Sequence, residues 1–88
     1  GEHLERELAL VKLKVKPEQA DAVRGYVLRA GGRVLDPVLD AFIVELTATE
    51  GEIDRFIKEL AAGSEIVEVV RSGALGIARQ PRPLRAVR

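Results

Sequence analysis

The 88 residues predict a single α+β domain: a four-stranded antiparallel sheet with two helices on one face, in chain order βαββαβ. Three observations carry this. Period-two apolar alternation marks stretches near both ends and in the middle of the chain. Two segments between them repeat apolar residues at helical spacing. A shift of 33 residues lays one half on the other, putting Ala9, Val11 and Leu13 on Phe42, Val44 and Leu46, and Ala20, Val23 and Val27 on Ile53, Phe56 and Leu60. Two strand–helix–strand units with right-handed crossovers interleave into a split βαβ, or ferredoxin-like, sheet of order 4-1-3-2.

Residues 7–15 read as the first strand, with Ala9, Val11, Leu13 and Val15 on one face and Leu8, Leu10, Lys12 and Lys14 on the other. Pro17 suits a first helical turn, and Ala20, Val23, Val27 and Ala30 form the stripe of a helix that Gly31-Gly32 ends. A second strand runs from Arg33 to Val38, with Pro37 marking it as an edge. The third spans Ala41 to Thr47. Thr49 and Glu52 match a capping box ahead of a helix whose buried stripe is Ile53, Phe56, Ile57 and Leu60 and whose C-cap is Gly63. Glu65 to Arg71 is the fourth strand. Ala74–Ala78 reads as a short extension, and residues 79–88 as a disordered Arg/Pro tail outside the folded 1–78. The expected core is Val11, Leu13, Val23, Val27, Val44, Leu46, Ile53, Phe56 and Leu60.

Composition excludes several functions. There is no Cys and one His, His3, so thiolate metal sites, disulfides and a Ser/His/acid or Cys/His constellation cannot be assembled. No catalytic residue, cofactor or metal is assigned. Net charge is zero, but Arg79, Arg82, Arg85 and Arg88 lie in the tail, leaving ten basic against fourteen acidic residues over 1–78. That balance argues against a nucleic-acid surface, as does placing none of Tyr26, Phe42 and Phe56 on the open sheet face, where RNA-binding sheets stack bases. No apolar run approaches a membrane span and Gly1-Glu2-His3 is unlike a signal peptide, so a cytoplasmic protein with no membrane partner is expected.

Glu5-Arg6-Glu7 reads as a solvated strand entrance, Arg71-Ser72-Gly73 as a strand-ending turn, and Asp36 and Asp40 as turn residues around Pro37. The unusual feature is the sheet face away from the helices. Alternation puts Leu8, Leu10, Ile43, Ile66 and Val70 there, beside Lys12 and Glu45, which are expected to be near cross-strand neighbours. So apolar a face calls for cover, by a second copy in a two-fold homodimer or another subunit, or by Ala74–Ala78. These seven residues are the candidate interface.

Three stretches carry a family resemblance. Glu5-Arg6-Glu7-Leu8-Ala9-Leu10-Val11-Lys12 is similar to an opening ERELAL-(I/V)-K strand. Glu45-Leu46-Thr47 with Ile53-Asp54-Arg55-Phe56-Ile57 is similar to E-(L/V)-TG…KIDAFI, and Ile66 to Gly73 to I-x-E-(I/V)-(V/A)-R-(T/S)-G. In this order and spacing the chain resembles the C-terminal domain of the small regulatory subunit of acetohydroxyacid synthase, also called acetolactate synthase. Ala48, where Gly is usual, is one departure, and the Arg/Pro tail another. The resemblance implies a non-catalytic domain whose partner is the large, thiamine-diphosphate-dependent subunit, with roles in its activation and in valine feedback control of branched-chain amino-acid synthesis. It implies too that the valine site belongs to an N-terminal ACT domain outside these residues, so no effector-binding residue is assigned. A stand-alone ACT-type amino-acid sensor shares the expected fold, but Lys16-Pro17-Glu18 does not offer the ligand-binding loop it would need.

Overall fold

The computed structural model describes residues 5–35, 41–73 and 85–87. Within them β1 (Arg6–Lys14) is followed by a single 3₁₀ turn at Pro17–Gln19 and α1 (Ala20–Arg29), then β2 (Arg33–Val34), β3 (Ala41–Thr49), α2 (Glu50–Gly63), β4 (Glu65–Arg71) and β5 (Arg85–Val87). The sheet runs β2-β3-β1-β4-β5, and every pairing is antiparallel. This is the expected ferredoxin-like α+β fold with the expected order of its first four strands.

The pairings fix which face each residue occupies. Val11 lies opposite both Val44 and Val69, and Leu13 opposite Phe42, so one face of the sheet is a continuous apolar surface. Val23 and Val27 of α1 and Ile53, Phe56 and Leu60 of α2 are buried with it, and all nine expected core residues are buried. Tyr26 stacks on Phe56 with ring centroids 5.7 Å apart, and the Arg24 guanidinium lies over the Phe42 ring at 5.3 Å. All three aromatic residues thus belong to the helix-bearing side.

The helix ends show local chemistry. Gly31 adopts φ 90, the left-handed value that glycine tolerates at a helix terminus, and Gly32 donates from its backbone to Val27 O at 2.9 Å. At α2 the capping box is complete: Glu52 N donates to Thr49 Oγ1 at 3.3 Å and Thr49 N to Glu52 Oε1 at 3.0 Å. These bonds from the Thr49 backbone and side chain hold the Glu52 carboxyl below the usual carboxylate range. The other end departs from expectation. Gly63 is the last helical residue, and Ser64 closes the helix in an extended conformation, its Oγ donating to Leu60 O at 2.6 Å. A hydroxyl takes up a terminal carbonyl here, so no left-handed glycine is needed.

Two further differences concern β4. A bulge between its pairings leaves Val67 unpaired: Lys12 lies opposite Glu68, whereas Leu13 lies opposite Ile66. Second, β5 pairs Val69, Val70 and Arg71 with Val87, Ala86 and Arg85. Three tail residues therefore extend the sheet along an edge offered by β4, a pairing that carries no periodicity in the tail itself. Asp36, Pro37, Asp40 and the proposed extension Ala74–Ala78 lie outside the described residues.

Candidate interface on the open sheet face

No helix among the described residues covers the second face of the sheet. Alternation along β1 and β3, set by the buried residues of the other parity, brings Leu8, Leu10 and Lys12 to this face with Ile43, Glu45 and Thr47. Leu10 lies between Glu45 and Val70, and Lys12 between Ile43 and Glu68. Leu8, Leu10, Ile43, Glu45 and Val70 are half-buried and Lys12 is exposed. Six of the seven residues expected to form the interface thus share one surface.

The seventh does not. Ile66 packs against the hydrophobic core on the helix side. Simple alternation from Glu68 places it outward, but the extra residue of the bulge reverses the parity of everything before it. Val67 is the residue displaced, and it is 46% exposed.

The charge pairing also differs from expectation. Glu45 is directly opposite Leu10, so Lys12 is its diagonal neighbour, and the residue facing Lys12 on the other side is Glu68. Glu45 instead pairs with Arg33 on β2, Nε to Oε1 3.6 Å. Leu35, two residues further along, continues this face, donates from its backbone to Ile43 O at 2.7 Å and is 40% exposed. Leu35 was not among the expected interface residues, although the expected second strand, Arg33 to Val38, includes it. The face consequently divides. Leu8, Leu10 and Val70 form an apolar patch, whereas Lys12 and Lys14 with Glu68 and Glu65 opposite them form a charged one.

Glu7 overturns the expectation of a solvated strand entrance. It is 3% exposed, and its Oε1 accepts from Arg71 Nε at 2.8 Å. Arg71 uses a second nitrogen, Nη1, on Asp54 Oδ1 at 2.7 Å. One guanidinium thereby ties β1, β4 and α2 together. The bond from Glu7 is the main reason its pKa is raised further above an already high value, while desolvation opposes the rise. Beside it Ser72 is buried: its Oγ accepts from Leu8 N and its own N donates to Leu8 O, both at 2.9 Å, before Gly73 turns the chain at φ 76. Arg71-Ser72-Gly73 is therefore a locked strand end. No buried side-chain nitrogen or oxygen among the described residues lacks a hydrogen-bond partner. Nor do those residues contain a group of three His, Cys, Asp or Glu side chains placed to hold a metal ion. No helix among them is long and apolar enough to cross a membrane.

The architecture of the described residues is thus that of a small ferredoxin-like module with both helices on one face of the sheet. Residues 6–80 match the family model described as the small subunit of acetolactate synthase. The chain is 33% identical over 85 residues to the acetolactate synthase isozyme 3 small subunit of Escherichia coli, covering 97% of this chain and 52% of that protein. It is 32% identical over 77 residues to the acetolactate synthase small subunit of Buchnera aphidicola, covering 88% and 49% respectively. A probable acetolactate synthase small subunit of Archaeoglobus fulgidus is 30% identical over 76 residues, with 86% and 47% covered. The chain belongs to the acetolactate synthase small-subunit family, of which it is the C-terminal domain. It spans about half the length of the curated relatives it matches.

Proposed function

We propose that this domain is a non-catalytic regulatory and assembly module that associates with the catalytic subunit of acetolactate synthase in the cytoplasm and supports its activation and feedback control in branched-chain amino-acid synthesis. The observation that carries this reading is the family match over residues 6–80. The open sheet face supplies the physical means. Leu8, Leu10, Ile43 and Val70 lie on a surface that no helix among the described residues covers, and burial against a second copy would remove them from water. A two-fold homodimer across this face is the arrangement we favour, with the catalytic subunit engaging the resulting pair.

Sedimentation velocity tests both contacts. The chain alone should sediment as a dimer at high micromolar concentration, and Ile43→Lys should shift it toward monomer without loss of helical circular dichroism, because Ile43 points away from the helices. Addition of the purified catalytic subunit should yield a faster complex with a raised rate of acetolactate formation. A wild-type chain that stays monomeric refutes the homodimer. A catalytic subunit unchanged in sedimentation and rate refutes the assembly role.

A further inference from the structure

On the helix-bearing side, where α1 ends and α2 begins, lies an open groove of about 580 Å³. Three arginines line it: Arg6 from β1, Arg29 from the last turn of α1 and Arg55 from the first turns of α2. The salt bridges among the described residues engage Arg24, Arg33 and Arg71, and none of these three. Arg6 Nη1 makes a long contact of 3.4 Å to Thr47 O. Among the described residues one carboxylate, Glu52, lines the groove, and its Oε1 is already committed to the Thr49 backbone. Arg6 and Arg55 lie close enough to add to the lowering of its pKa, behind the bonds from Thr49. Positive charge is thus concentrated here in a mildly acidic domain. The groove also has an apolar wall in the half-buried Tyr26 ring, which stacks on the buried Phe56.

We propose that this groove binds a small organic anion, with a carboxylate or phosphate head held by the Arg29 and Arg55 guanidiniums and an apolar body against the Tyr26 ring. Guanidinium suits both heads, since its forked donors meet two oxygens of either at once. Arg29 offsets the negative end of α1, and the positive end of α2 is occupied by its capping box. The guanidiniums therefore set the sign of the site. The proposal is independent of the role in acetolactate synthase, because it uses neither the open sheet face nor a second subunit.

Nuclear magnetic resonance of the 15N-labelled chain tests it, with sodium benzoate as the anionic probe and benzamide as its neutral analogue at matched ionic strength. Benzoate should give saturable shifts at the amides of Gly31, Thr47 and Arg55, and inorganic phosphate should compete. Benzamide should not saturate. The double variant Arg29→Gln/Arg55→Gln should weaken benzoate binding by roughly tenfold or more, the effect of losing a charge-assisted hydrogen bond. Arg33→Gln, on the other face, should leave it unchanged, and Arg29→Lys/Arg55→Lys should lie between. Shifts that fail to saturate, that benzamide reproduces, or that persist in the glutamine variant would overturn the site.

Discussion

Replacing Arg71 with leucine should destabilise the domain far more than its partly exposed position suggests. The side chain of Arg71 is 17% exposed and that of Glu7 only 4%. Losing the guanidinium leaves the buried Glu7 carboxylate without its hydrogen-bond partner. Breaking a buried pair from one side costs about 3–5 kcal/mol. The residual exposure of Arg71 points to the lower end, about 3 kcal/mol. The Asp54 half of the clamp behaves differently: its side chain is 62% exposed, so Asp54→Ala should cost only about 0.2–1 kcal/mol. The decisive comparison is the double variant Glu7→Leu/Arg71→Leu. Removing both charges together abolishes the penalty of an orphaned carboxylate, so it should be more stable than Arg71→Leu alone. Urea unfolding followed by circular dichroism measures all three, with unchanged slopes showing that only stability has moved. An Arg71→Leu variant within about 1 kcal/mol of wild type, or a double variant no more stable than the single one, would refute the reasoning.

Other expectations rest on single positions. Phe56→Ala should cost about 3–5 kcal/mol in the same unfolding assay, because Phe56 is 1% exposed at the centre of the core and its removal leaves a cavity beneath Tyr26. Thr49→Ala should cost about 1 kcal/mol by deleting one arm of the capping box, with a loss of helical signal confined to α2. Burial first, and then the Glu59 carboxylate beside it, pushes the Tyr26 phenol from 10.0 up to about 12. The folded state therefore holds the phenolic proton more tightly than the unfolded state does. That contribution is complete below the unfolded value and is lost as pH rises from 10.0 through about 12. Thermal melts across this window should show wild type losing stability relative to Tyr26→Phe as pH rises, and a constant difference would show that Tyr26 does not titrate as described.

The fold was legible because its determinants are local and repeated. Alternation in β1 and β3, the stripe of α2 and the Thr49–Glu52 box each point to the same arrangement. Glu7 and Arg71 were legible in principle too. Glu7 shares the parity of Ala9, Val11 and Leu13, and Arg71 that of Val69, so two opposite charges fall on inward positions of adjacent strands. Reading Glu7 as a solvated charge followed residue type where parity was the better guide. Ile66 shows the limit of parity. The bulge inserts Val67 without any glycine or proline to announce it, and only the pairing of Leu13 with Ile66 reveals the change of face. Ser64 in place of Gly63 as the helix stop is similar, since a hydroxyl and a glycine end a helix by different chemistry and both stood in the sequence.

The bulge also bears on how the open face can associate. With Ile66 turned into the core, the apolar patch narrows to β1, β3 and the distal half of β4, around Leu8, Leu10, Ile43 and Val70. These side chains are already half-buried by their strand neighbours, so each has less to gain than the roughly 1.5–3 kcal/mol of a fully exposed one. Apolar area alone then leaves a self-association of modest strength and weak register. The neighbouring charges add the missing constraint. Lys12 and Lys14 face Glu68 and Glu65 across one strand boundary, and Glu45 is held by Arg33 on the far side. A copy docked with its lysine row against its mate's lysines would oppose like charges, whereas a two-fold setting lysine rows against glutamates would not. On this reading the apolar residues of the face bring two copies together and the charged ones select how they meet.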